Sequence, residues 1–449
     1  MEKLSDMAMF TICFSVLQVS IVSELPAMGE QVKKLMKYFQ ALPEHMCDEI
    51  LSVLIEHDFS DEGGGDLVPG AEHIAPFVRD NIKKLSLDFD GDEFVFEDLL
   101  YFSGSKLKNL EELKLPDEYH LDQQVCRQMC ILMPNLRKLD LNGCQLDQDA
   151  MPFIANLPLI EFDPGHSITE RAVEQLCQTD SLARQTLRVF RIGDYGLPTA
   201  CYHKLLSSMK LLEDLDSEDS KWFINLPHAL QHRQFNLRKL NFDSSLDMVE
   251  EELEIVLSTC PKLTNIKITS HVFTPRIMCT LTMFEHLANL NINVVSNGDQ
   301  RVEDKNQLCE RICLDNASFP VLSKLTLSDS RDAWISNGYL FRILEMCPHL
   351  DTLKLWRCDG FSNKIATELA GLMAKRRLKH LFIEFCNLLG PNGVDDLLKI
   401  PSLIELKVLL FTTDVVKQHF DSHPLHDDAN KYSVDLKLIV FVDFLGLFH

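Results

Sequence analysis

No two of the 14 cysteines stand as a C-x-x-C pair, which removes the usual zinc-knuckle and dithiol frameworks. Basic residues are scarce, with 44 lysines and arginines against 67 aspartates and glutamates, for a net charge of −23. Phosphate backbones and anionic membranes need cations, so neither nucleic acid nor a membrane is expected as the main partner. The acidity is read as serving solubility. No phosphate-cradling glycine-rich loop, H-E-x-x-H or G-x-S-x-G is present, and no enzyme, metal or cofactor is expected. The most apolar early run, Phe10 to Val22, is too short to span a bilayer as a helix. Its flank carries Glu2, Lys3 and Asp6 in place of a positive signal-peptide start.

What the chain does have is a repeat. Leu136-Arg-Lys-Leu139-Asp-Leu141-Asn-Gly-Cys144-Gln-Leu146 reads L-x-x-L-x-L-x-x-C-x-L, the strand half of a leucine-rich repeat. The leading apolar position recurs at Ile82, Leu110, Leu136, Leu157, Leu187, Leu212, Leu237, Leu263, Leu287, Leu322, Leu350, Leu378 and Leu403. Most steps are about 24 to 30 residues, the length of one such unit. The long step after Leu287 holds a polar insertion, Ser296 to Arg301. Helical patterns such as Asp149 to Leu157 and Ile365 to Met373 lie between the strand halves. The expected fold is an α/β solenoid, a leucine-rich-repeat horseshoe with parallel strands on the concave face, preceded by an N-terminal helical box domain.

The cysteines follow the repeat register. Cys144, Cys358 and Cys386 share one position, and Cys260 and Cys347 share another, each before a proline. Cysteines in phase with the apolar pattern are small buried hydrophobes, which implies a reducing compartment, cytoplasmic or nuclear. Two acidic or histidine-bearing stretches, Asp88 to Glu93 and His423 to Asp428, are read as solvated loops; the first lacks the glycine that a calcium loop places at its sixth position.

Four segments result: a helical box at 1–58, a linker and front cap at 59–80, about 13 repeats over 81–411, and a cover at 412–449. The break between box and array is the loop Ser60 to Asp66, with Gly63 at its centre. The very apolar tail from Leu436 reads either as a last strand plus cover or as the cut end of a longer protein.

The box carries the informative motif. Ala8, Met9, Cys13 and Leu17 are spaced as small, apolar, cysteine, apolar, and Leu42, Pro43, Met46 and Ile50 lead a helix that starts at a proline. The pair, at about 8–17 and 42–54, resembles a BC box followed by a cullin-2 box, with Met9 standing where the family has leucine. Boxes followed by leucine-rich repeats resemble the Zyg-type substrate receptors of Elongin B/C–cullin-2 ubiquitin ligases. That resemblance implies that Met9, Cys13 and Leu17 bind Elongin C, and that Leu42, Pro43, Met46 and Ile50 contact cullin-2. The armadillo-like repeats that capture substrate ends in those receptors have no counterpart in this sequence.

Two other readings stay open. Leu42 to Leu54 also resembles the opening of an F-box, which implies a Skp-type adaptor and cullin-1, although residues 55–80 lack tryptophan. A front cap of a non-ligase scaffold would show the same helices. For a protein substrate, the expected patch is Trp356, Arg357, His380, Phe382 and Glu384, where aromatics and an arginine replace the small and charged residues of other strand faces.

Overall fold

A computed structural model gives the fold. It describes residues 41–56, 59–60, 66–67, 71–87, 96–165, 168–192, 197–216, 220–242, 250–270, 275–294, 317–329, 337–358, 360–386, 388–412, 425 and 434–442. The chain divides into two compact units, Met1–Ser217 and Glu218–His449. The first-box residues Met9, Cys13 and Leu17, the Gly63 loop, the insertion at 296–301 and both acidic or histidine loops, apart from the buried Leu425, lie outside the described residues.

In the first unit six short strands pair in parallel: β1 (Lys84–Ser86), β2 (Glu112–Lys114), β3 (Lys138–Asp140), β4 (Glu161–Asp163), β5 (Val189–Arg191) and β6 (Asp214–Asp216). In the second unit eight more do so: β7 (Lys239–Phe242), β8 (Asn265–Ser270), β9 (Asn289–Val294), β10 (Lys324–Asp329), β11 (Thr352–Trp356), β12 (His380–Glu384), β13 (Glu405–Thr412) and β14 (Asp435–Val442). Parallel neighbours need a crossover. One helix, α1 (Glu44–Glu56), precedes β1; others supply the crossovers, among them α2 (Phe96–Ser103), α3 (Gln123–Leu132), α4 (Glu170–Leu176), α5 (Thr199–Ser208), α6 (Glu250–Thr259), α7 (Pro275–Thr282), α8 (Asn337–Glu345), α9 (Asn363–Met373) and α10 (Pro391–Leu398). Each unit is a leucine-rich-repeat solenoid of strand–helix modules.

The periodicity in the sequence is the core in the structure. All thirteen leading positions from Ile82 to Leu403 are buried. In twelve of them the strand begins two residues later, as at Leu136 and Lys138. The exception is the fourth repeat: β4 begins at Glu161, which makes Leu159 the register residue and Leu157 an extra buried leucine before it. Both are apolar and adjacent in phase, so spacing alone cannot separate them. Within each strand the next apolar residue also points inward, and in two successive repeats it is phenylalanine: Phe162 and Phe190 stack with centroids 5.8 Å apart.

Polar side chains just ahead of the leading leucines lock one repeat to the previous one. Asn109 donates to the Asp80 carbonyl at 2.6 Å and Asn135 to the Lys108 carbonyl at 2.9 Å. Thr186 reaches the Leu159 carbonyl at 2.8 Å, and Ser402 reaches that of Leu378 at 2.8 Å. These bonds satisfy loop carbonyls that no strand or helix partners.

Chain reversal after the strands uses left-handed backbone. Gly143 has φ +84°, and Arg357 and Phe385 occupy the same place in their repeats with φ +53° and +59°. Each precedes one of the in-phase cysteines, Cys144, Cys358 and Cys386, whose side chains turn inward and are buried. Cys144 donates to the Pro116 carbonyl at 3.1 Å. The described cysteines are all free thiols. The described part of the apolar tail forms β14, paired along its whole length with β13.

Candidate functional site

Two surfaces carry the residues singled out in the sequence. The first is α1. The Pro43 carbonyl accepts from the Met46 and Cys47 amides at 3.0 and 3.2 Å, so Pro43 caps the helix from outside. Cys47, Ile50, Leu51 and Leu54, at helical spacing, are buried. Arg79 donates to the Cys47 sulfur at 3.1 Å, which ties α1 to the segment leading into β1. Pro43 is exposed, and Leu42 and Met46 are half-buried. Ile50 is wholly inaccessible and serves as an anchor of the cap, so the apolar residues left outward at the start of α1 are Leu42, Pro43 and Met46, beside the exposed His45, Asp48 and Glu49, with Val53 half-exposed further along. Val53 lies within the 42–54 stretch but is not one of the positions the proline-led motif names, and only the helical period reveals it.

The second surface is the outward face of the strands. In the first unit it presents the carboxylates Glu112, Asp140, Glu161, Asp163 and Asp214 beside the basic residues Lys84, Lys114, Lys138 and Arg191. Opposite charges alternate across neighbouring strands: Lys84–Glu112 at 2.7 Å, Lys138–Glu161 at 3.2 Å and Arg191–Glu161 at 2.7 Å. Among the described side chains of the second unit the outward positions carry Lys239, Lys267, Lys324, Lys354, Lys407 and Lys437 against Glu384, Glu405 and Asp435. Asparagines fill β9, at 289, 291 and 293.

All five expected patch residues lie on β11, β12 or the turn after β11. Parallel register sets Thr352 beside His380, Lys354 beside Phe382 and Trp356 beside Glu384. The Arg357 guanidinium sits 4.7 Å from the Trp356 ring centroid, a cation–π distance. Phe385 meets the same indole edge-on at 6.4 Å. His380 and Phe382 stack nearly parallel, with centroids 6.5 Å apart. The aromatics thus form two pairs, Trp356 with Phe385 and His380 with Phe382.

Glu384 is the hub. It is 8% exposed, and Lys354 and Lys407 approach its two oxygens at 2.8 and 3.2 Å. Burial opposes its ionisation, but the two ammonium groups outweigh that and hold the carboxyl below its usual range. On β13, opposite His380, Glu405 is lowered chiefly by Lys437 at 2.6 Å, with His380 at 3.3 Å adding to the effect. Lys354, Lys407 and Phe385 complete the site and lie outside the patch expected from the sequence. Strand register across repeats brings the lysines in, and a left-handed turn brings Phe385 in; neither is visible in a single repeat.

No group of histidine, cysteine or carboxylate side chains among the described residues is arranged to hold a metal ion. Among them no helix is long and apolar enough to cross a membrane. Desolvation raises the half-buried Cys130 and the buried Cys144, Cys260 and Cys347 to about 12, which leaves these thiols unsuited to nucleophilic chemistry at neutral pH.

No protein-family model matches the chain, and no curated protein matches it. Solved structures with which it aligns include an internalin from Listeria monocytogenes, at 14% identity over 88% of this chain and 94% of that one, with a TM-score of 0.39. Another is the TLR13–ssRNA13 complex, at 15% identity, a TM-score of 0.47, and 83% of this chain against 55% of that one. A third is the yeast Rad7–Elc1 complex, at 14% identity over 92% of each chain, with a TM-score of 0.38.

Proposed function

We propose that the chain is the substrate-recognition subunit of a cullin-RING E3 ubiquitin ligase. In this reading its N-terminal box docks on Elongin B/C and cullin-2, and its leucine-rich repeats hold the protein to be ubiquitinated. The observation that carries it is α1: a proline-capped helix anchored through Cys47, Ile50, Leu51 and Leu54 that leaves Leu42, Pro43 and Met46 at the surface. The same three residues belong to the motif that resembles a cullin-2 box. The strand faces support the second half of the reading, since they offer broad polar surface with aromatics at one place. The chain itself carries no catalysis in this role, and its free buried thiols fit a cytoplasmic or nuclear setting.

The test is which adaptor co-purifies with the full chain from cells. Elongin C is the expected partner, and Met9→Arg with Cys13→Arg is expected to abolish its recovery without changing the circular dichroism of the repeats. Met46→Arg is expected to lose cullin-2 while keeping Elongin C. Retention of Elongin C by the double variant refutes the box assignment. Recovery of a Skp-type adaptor in its place selects the F-box reading, and recovery of neither leaves a non-ligase scaffold.

A further inference from the structure

The second unit's strand face reverses the charge of the chain. Acidic residues outnumber basic ones 67 to 44 in the whole sequence, yet six lysines meet three carboxylates on this face. The described side chains of the first unit's strand face do not share the reversal, with five carboxylates against four basic residues. Facing outward on a strand is therefore not the cause.

Two of the three carboxylates are already saturated. Glu384 holds two lysines and Glu405 holds Lys437 and His380. An ammonium carries three donors, and a single carboxylate contact leaves others to offer. What a partner meets here is positive, with half-buried indole and phenyl surface beside it at Trp356 and Phe382 and an exposed guanidinium at Arg357.

We infer that the strand face of the second unit binds an acidic segment of a partner protein. Lys354, Lys407 and Arg357 meet its carboxylates, and Trp356 and Phe382 take an apolar side chain from the same segment. This takes as its site the face to which the preceding reading gives the substrate. Charge complementarity selects a protein segment over nucleic acid. A long polyanion would run past the face and meet the acidic remainder of a chain whose net charge is −23, while a short segment meets charges only within a screening length of about 8 Å.

The test uses the full-length chain and a random-sequence peptide display library, with no adaptor present, so it fails or succeeds independently of the ligase assignment. The enriched peptides are expected to be net acidic and to contain an aromatic or large aliphatic residue. Measured by fluorescence anisotropy, their binding is expected to weaken with added salt and to fall about tenfold or more in Lys354→Ser with Lys407→Ser. Arg357→Asn, which tolerates the left-handed backbone, is expected to weaken them as well. Lys84→Ser with Lys138→Ser, on the first unit's strand face, is expected to change nothing. An enriched pool that is neutral or basic overturns the proposal, as does equal loss in the first-unit variant. So does a single-stranded oligouridylate that binds more tightly than the peptides. Self-association that the Lys354/Lys407 variant abolishes would assign the face to a second copy, and would overturn it too.

Discussion

Gly143→Ala and Gly165→Ala are expected to differ sharply in cost, although both glycines follow strands of neighbouring repeats with positive φ, +84° and +64°. The shared part is conformational. An alanine held in left-handed backbone costs about 1–2 kcal/mol, and the stiffer unfolded chain returns about 0.4–1 kcal/mol, leaving a net loss of roughly 1 kcal/mol for each. The surroundings then separate them. A β-carbon at Gly143 would lie 2.3 Å from an Asp117 carboxylate oxygen, the far end of a side chain that can swing aside. At Gly165 it would lie 2.2 Å from the Leu141 carbonyl oxygen. That oxygen accepts the Cys144 amide at 2.9 Å, so it cannot yield without breaking a buried bond. Such a loss adds about 1–3 kcal/mol. Gly165→Ala should therefore cost roughly 2–4 kcal/mol and Gly143→Ala about 1 kcal/mol. Urea unfolding followed by far-ultraviolet circular dichroism measures both, and since the residues sit in adjacent repeats of one unit they report on the same transition. A Gly143 variant as damaged as the Gly165 variant would show that close approach to backbone is not what requires glycine here.

Three further outcomes follow from the packing and the charges. Leu355→Ala, which empties a fully buried site on β11, is expected to cost about 2–5 kcal/mol in the second unit; a loss below about 1 kcal/mol would mean that the site collapses around the gap. Glu384 has a folded pKa below its unfolded value, so its stabilising contribution is present above the unfolded value and is lost as pH falls through the folded one. The urea midpoint should accordingly drop on the acid side, and Glu384→Gln should flatten that drop; an unchanged slope would remove Glu384 as its source. Cys144 and Cys260 should resist alkylation by iodoacetamide at neutral pH until the chain is unfolded, as read by mass spectrometry, because burial raises both thiols to about 12.

The array was legible because leucine-rich repeats write their core into the sequence at a fixed period. Leu136 or Leu378 can be placed by counting, and the strand starts two residues later. The fourth repeat resisted because Leu157 and Leu159 are both apolar and both buried, and only the strand pairing of Glu161 with Lys138 chooses between them. Ile50 shows a different limit. A motif of apolar residues along one helix does not say which of them the rest of the chain covers, and burial separates Ile50 from Met46 only once Arg79 and its segment are in place. The patch was legible in its aromatics and not in its lysines, since Lys354 and Lys407 come from repeats on either side of Glu384.

The turns after β11 and β12 have a consequence for how this protein can change over time. At Gly143 the left-handed turn is occupied by the residue that fits it without strain, while Arg357 and Phe385 hold the same conformation at about 1–2 kcal/mol each. Drift that answered only to folding would replace both with glycine or asparagine, which relieve the strain in one step. Their side chains bracket Trp356, one above the ring and one at its edge. In related chains these two sites then become a gauge: arginine and an aromatic where the indole is used, glycine or asparagine where it is not.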